Sequence, residues 1–188
     1  MKAFEAGAEM GIPVVNVGPG DGESGNQDDL KRCLDRLARL AERAEPFGVT
    51  LCVKAHVKKP IFDTATTLRA MEAISSPAFG IDMDPSHVYR AGENPEEALP
   101  RVLSRVRHIH IRDCPGRETS PGTPAEQACG RGGIDLMGYC RAMAEGEYSG
   151  PVCLEVIGAL KLDLASVCTI AAESYGYLNA CLKHLRAR

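Results

Sequence analysis

The residues best equipped for chemistry stand where short alternating runs stop. Ile81-Asp82-Met83-Asp84 runs into His87, and His108-Ile109-His110-Ile111 runs into Arg112 and Asp113. Carboxylates and imidazoles are hard and borderline donors that suit a divalent metal, and the same groups hydrogen-bond a sugar's hydroxyls. Two further runs end alike: VTLCVKAH carries Lys54 and His56, and VCLEV carries Glu155.

Alternation of apolar and polar residues gives each run a polar and an apolar face, the signature of a strand. Between Asp84 and His108 lies a helix opened by Asn94 as N-cap, with Pro95 at the first helical position and Glu96 and Glu97 in its first turn. A helical crossover makes the flanking strands parallel, and parallel sheets are covered on both faces. The polar faces must therefore point into something enclosed, most simply a barrel lumen, with the chemistry at the strands' carboxyl ends.

The remaining elements repeat this unit. Residues 2–11 read as a helix, Pro13–Val17 as a strand that enters the glycine-rich loop GPGDGESGN, and the next helix, capped by Asp28 or Asp29, carries Leu30, Cys33, Leu34, Leu37, Leu40, Ala41 and Ala44 at helical spacing. Val49–His56 is a strand, Thr64–Ile74 a helix, and a connection of about twenty residues follows Asp113, long enough to serve as a lid or binding loop. Asp135 caps a helix to Glu145, the VCLEV strand follows, and a last helix runs from Asp163 to Arg186. Five strands alternate with helices. A closed (β/α)8 barrel needs eight strands and about 250 residues, so the expectation is an α/β, TIM-type barrel that is incomplete, lacking two or three units before its first helix, in a single domain over residues 1–188.

Composition limits the partners. The chain has 188 residues, is 44% hydrophobic and 25% charged, and carries a net charge of −3, which offers no general attraction to nucleic acid or to an anionic membrane. No apolar run approaches the ~18 residues of a membrane span, so a cytoplasmic protein acting on a small molecule is expected, with a homo-oligomer left open. Eight cysteines form no C-x-x-C pair and read as small buried hydrophobes in a reducing compartment. Cys114 and Cys129, flanking the long loop, are the two that could have a function.

Taken in order, AEMGIPVVNV, GVTLCVKAH, DPSHVYRAGE, HIHIRD, GRGGID and YSGPVCLE resemble the xylose isomerase-like TIM barrels, a superfamily that includes sugar phosphate isomerases and epimerases, inosose dehydratases and endonuclease IV. The resemblance implies one divalent ion (Mn, Mg, Co or Zn) held by Glu, Asp, His and Glu from four strand ends. Asp84, His110 and Glu155 fall on the last three, and His87 on the D-x-x-H histidine near the substrate. The first glutamate is unmatched: Lys54 stands there, and an ammonium has no lone pair to give.

Three readings follow from that departure. The ion could rest on Asp84, His110 and Glu155 with Lys54 as a proton carrier, His56 could replace the missing ligand, or the metal could be lost and leave a carbohydrate-binding barrel. The resemblance then implies a sugar or polyol-derived ketone whose α-proton is moved through an enediolate; Glu155 and Lys54 are the residues expected here as the acid/base pair, with His56, His87 and Arg112 contacting hydroxyls. An inosose dehydratase-like lyase shares that first step. A DNA-repair endonuclease would need more ligands and a basic surface. His108 reads as a satisfied core histidine, Asp82 as paired with a lysine or arginine in the lumen, and His184 as solvated.

Overall fold

The computed structural model describes residues 2–118 and 120–187. The sheet is made of β1 (Val14–Val17), β2 (Thr50–Lys54), β3 (Phe79–Met83), β4 (Val106–Ile111) and β5 (Val152–Leu154), all parallel and in sequence order. Each parallel neighbour requires a crossover. The helices α1 (Lys2–Glu9), α2 (Gln27–Ala44), α3 (Thr64–Ala73), α4 (Pro85–Arg90), α5 (Pro95–Val102), α6 (Leu136–Glu145) and α7 (Leu164–His184) flank or connect the strands.

The expected half-barrel is present. Its core forms between sheet and helices, where Leu51, Val53, Ile81, Met83, Ile109 and Ile111 meet Leu30, Leu37, Ala41, Leu99, Leu136 and Tyr139. The central strands β2 to β4 are largely buried, whereas Val152 and Cys153 on the edge strand β5 are exposed. Cys153 and Cys168 thus depart from the expectation of buried thiols; all eight cysteines are free.

Local chemistry explains the helix starts, with two corrections. Asn26, rather than Asp28 or Asp29, caps α2, accepting from the amides of both aspartates. The aspartates sit instead in the first turn, where negative charge complements the helix dipole. Asn94 does occupy the N-cap position of α5, but its side-chain oxygen accepts from Arg117 Nη2 at 2.7 Å and caps nothing.

The short helix α4 was not anticipated. Asp84 is its N-cap, with Oδ1 accepting from the Ser86 amide at 2.9 Å and the Ser86 hydroxyl at 2.7 Å, and Pro85 holds the first helical position. The Asp-Pro pair is a helix start, and it fixes the Asp84 carboxylate at the mouth of the half-barrel. Among its described residues, the connection after β4 is irregular apart from a 3-10 turn at Ala125–Gln127. It is tied down by Asp113, whose carboxylate accepts from the amides of Cys114, Gly130 and Ile134. Asp113 is therefore a buried loop anchor, not a ligand-facing group.

Candidate functional site: a charge cluster at the strand ends

Lys54 closes β2, Asp84 follows β3, Arg112 follows β4 and Glu155 follows β5, so four consecutive strands deliver one charged side chain each to the same end of the sheet. Their heads meet. Lys54 Nζ lies 2.8 Å from Glu155 Oε2 and 3.7 Å from Asp84 Oδ2. Arg112 reaches both carboxylates, at 3.0 Å to Asp84 Oδ2 and in close contact with Glu155 Oε2, and its Nε donates to the Ser86 hydroxyl at 2.8 Å. Two cations thus offset two anions in a place where Asp84 and Arg112 are almost wholly buried.

The electrostatics follow from that arrangement. Burial alone would raise the Asp84 carboxyl, but Arg112 foremost, with Lys54 and the Ser86 hydrogen bond, brings it down to about 2. Burial also opposes ionisation of Glu155, and the hydrogen bond and charge of Lys54, with Arg112, hold it below the usual range. Both groups are carboxylates at neutral pH.

His87 is buried behind this cluster. Its Nδ1 accepts from the Val57 amide at 3.3 Å and lies 3.1 Å from Arg90 Nη2, so the lone pair is on Nδ1 and the proton on Nε2, which faces Asp84 Oδ2 at 3.8 Å. Burial above all drives its pKa down to about 3, the nearby Arg90 and Arg112 adding to it against Asp84. His56 is exposed and its ring rests 4.0 Å from that of His87. Lys54, His56, His87, Arg90, Arg112, Glu155 and Ile157 line a cavity of about 280 Å³.

The expected metal ligands separate in the structure. Asp84 and Glu155 share Lys54 and Arg112, while His110 Nδ1 lies 2.6 Å from Asp82 Oδ2. The donors that do lie together are Asp82, His108 and His110, one ligand atom from each being within 4.8 Å of the others. A divalent ion does not fit between Asp84 and Glu155 as they stand: their charge is already met, and an ammonium occupies the position of the missing glutamate. Asp82 pairs with imidazoles rather than a lysine or arginine, and half-buried His108 is not a closed core residue, since its Nδ1 contacts both Asp82 Oδ1 at 3.0 Å and Asn16 Nδ2 at 3.1 Å. The sequence reads Asp82 and His108 as structural groups, although the alternation that picks out Asp84 and His110 places both on the same strand faces. His184 is exposed, as expected.

Cys114 and Cys129 are both buried, and burial pushes their thiols up to about 11 and about 12. They are packing groups without thiolate character near neutrality.

Residues 1–177 match the xylose isomerase-like TIM barrel family. The chain belongs to that family. Among curated relatives, an inosose dehydratase of Lacticaseibacillus casei is 28% identical over 86 residues, a match covering 46% of this chain and 29% of that protein's length. Solved structures superpose closely. L-ribulose 3-epimerase gives a TM-score of 0.80 at 17% identity, over 98% of this chain and 66% of the other. The IolI protein with a bound zinc atom gives 0.79 at 21% identity, over 94% and 66%. At such identities the structures establish the fold: a xylose isomerase-like half-barrel whose strand ends carry the Lys54, Asp84, Arg112 and Glu155 cluster.

The family takes in epimerases and inosose dehydratases. Among the described residues no helix is long and apolar enough to cross a membrane.

Proposed function

We propose that this chain serves an isomerase or epimerase reaction on a sugar or polyol-derived ketone, moving a proton α to the carbonyl. The observation that carries the reading is the 2.8 Å contact between Lys54 Nζ and Glu155 Oε2 at the mouth of the cavity. A depressed carboxylate and an ammonium in direct contact are a base and an acid that can hand a proton between them.

A ketose entering the cavity parts the Lys54–Glu155 contact and loses its α-proton to Glu155 as the carbonyl oxygen becomes an enediolate oxygen. The negative charge gathers beside Lys54 and the Arg112 guanidinium, fixed cations that need no reorganisation at that moment. Lys54 returns a proton to the opposite face of the carbon, and once product leaves, Glu155 restores the proton to Lys54 across their re-formed contact. His56, exposed beside the cavity, meets substrate hydroxyls, and the buried His87 supports its ring from behind. Arg112 is committed to Asp84, Ser86 and Glu155, so it acts on substrate through charge and by holding Glu155. A reducing, cytoplasmic setting belongs to the same reading.

The likeness to inosose dehydratases supports a second outcome from the same first step, in which the enediolate expels a β-hydroxyl. Incubating the protein in D2O with a panel of ketoses and inososes, followed by NMR, separates the two. Deuterium at the α-carbon with a new epimer supports the isomerase reading, and loss of water supports the lyase. Binding with no exchange in either class rejects both and leaves a carbohydrate-binding barrel.

A further inference from the structure

The geometry points to a divalent transition-metal site formed by Asp82, His108 and His110, one layer deeper in the half-barrel than the charge cluster. Asp82 and His108 are register partners on β3 and β4, and His110 lies two residues on along β4, so the donors are carried by adjacent strands rather than loops.

Three observations converge there. Asp82 is 1% exposed, and its Oδ2 faces His110 Nδ1 at 2.6 Å with neither atom finding any further partner. A buried carboxylate oxygen and a ring nitrogen this close, with no other polar neighbour, share either a proton or a cation, and a divalent ion accepting a lone pair from each takes the proton's place. The other carboxylate oxygen is engaged by the His110 amide at 3.1 Å and by His108 Nδ1 at 3.0 Å, so the aspartate is held in place with Oδ2 the atom left over.

Next, the cation in register with Asp82 is spent elsewhere. Lys54 is the register partner of Asp82, but its ammonium passes on to Glu155 and Asp84. A carboxylate buried among imidazoles gains most from a positive charge supplied from outside. Finally, both histidines keep some side-chain exposure, 12% and 17%, so an ion has a way in and water can complete its shell.

Two imidazoles with one carboxylate suit zinc, cobalt or manganese better than magnesium or calcium, which favour oxygen. Three protein donors with an open position are also the usual count for a zinc ion that keeps a water. The inference is independent of the proton-transfer reading, because ion uptake can be present without turnover and turnover without ion uptake.

Titrating chelator-treated protein with Co2+, read by its visible absorption, and with Zn2+, read by calorimetry, tests it. One ion per chain is expected in the wild type. Asp82→Asn and His108→Gln should each weaken uptake by roughly 100-fold or more, and Glu155→Gln should leave it unchanged. A wild-type chain that takes up no stoichiometric ion overturns the proposal whatever the variants do. So does uptake that survives both Asp82→Asn and His108→Gln in folded protein, or uptake abolished by Glu155→Gln. Should one of the first two variants fail to fold, the other and the wild-type stoichiometry decide.

Discussion

The Lys54 ammonium and the Glu155 carboxylate, 101 positions apart in sequence, lie 2.8 Å from one another across the mouth of the half-barrel. Three βα crossovers are needed to bring them there. That contact, with Arg112 spanning from Glu155 to Asp84, sets what the strand ends can do: the two acids are offset by fixed cations of the chain itself.

Removing one fixed cation should be felt in stability. Arg112 is 1% exposed and joins two carboxylates, so Arg112→Met leaves buried negative charge without its main partner, at a cost of about 3 kcal/mol or more. Urea unfolding checks this. Adding Asp84→Asn to the Arg112→Met chain should recover part of the loss, because the uncompensated charge is then gone.

Acid should destabilise the fold well before ordinary carboxylates titrate. His87 is held neutral down to about 3 in the folded chain, whereas the unfolded imidazole protonates near 6.5. The unfolded state therefore binds the extra proton between those values, and stability present above pH 6.5 drains away as pH falls toward 3. The loss by pH 4 is on the order of 3 kcal/mol. His87→Asn can still accept from the Val57 amide but cannot titrate, so its stability should change much less over the same range in a series of denaturant melts.

The acid limb of catalysis should lie low. Glu155 has its carboxyl depressed, so the proposed base stays ionised below the usual glutamate value of 4.5. The rate of α-proton exchange should hold level as pH falls past that value and drop only below it. Lys54→Met removes the hydrogen bond and charge that depress Glu155, and the limb should then move to higher pH. Glu155→Gln should lower exchange by roughly 100-fold to 10,000-fold at every pH.

Asp113 should govern the loop and leave the chemistry alone. A side chain at Gly132 would place its Cβ 2.2 Å from Asp113 Oδ1 and 2.3 Å from the Cys114 carbonyl oxygen, so Gly132→Ala has no room. Both Gly132→Ala and Asp113→Ala should speed proteolytic cleavage within residues 114–133. Wild-type cleavage rates in Asp113→Ala would show that the three amides find other partners.

Much of this is legible in the sequence. The period-two runs around Asp82 and His108, and the helix start at Asn94-Pro95 between them, require a parallel pair, and repetition of that unit gives the half-barrel. Lys54, Asp84 and Glu155 were legible as strand-end groups because each terminates such a run. What periodicity does not carry is where a side chain goes once its strand ends. Lys54 is long enough to reach past Asp82 to Glu155, and Arg112, expected on substrate hydroxyls, turns inward between two acids. His110, expected beside Asp84, meets Asp82 because an imidazole is too short to leave its own layer when a carboxylate lies 2.6 Å away. The α4 helix was missed because at six residues it is too short to show a helical period, although Asp84-Pro85 marks its start.

The most direct test of the central claim, that Lys54 and Arg112 already satisfy Asp84 and Glu155, is anomalous diffraction from crystals soaked in Mn2+. The account predicts no anomalous peak between the carboxylates of Asp84 and Glu155, with Lys54 Nζ still in contact with Glu155. A peak bonded to both carboxylates, with Lys54 swung away, would contradict it.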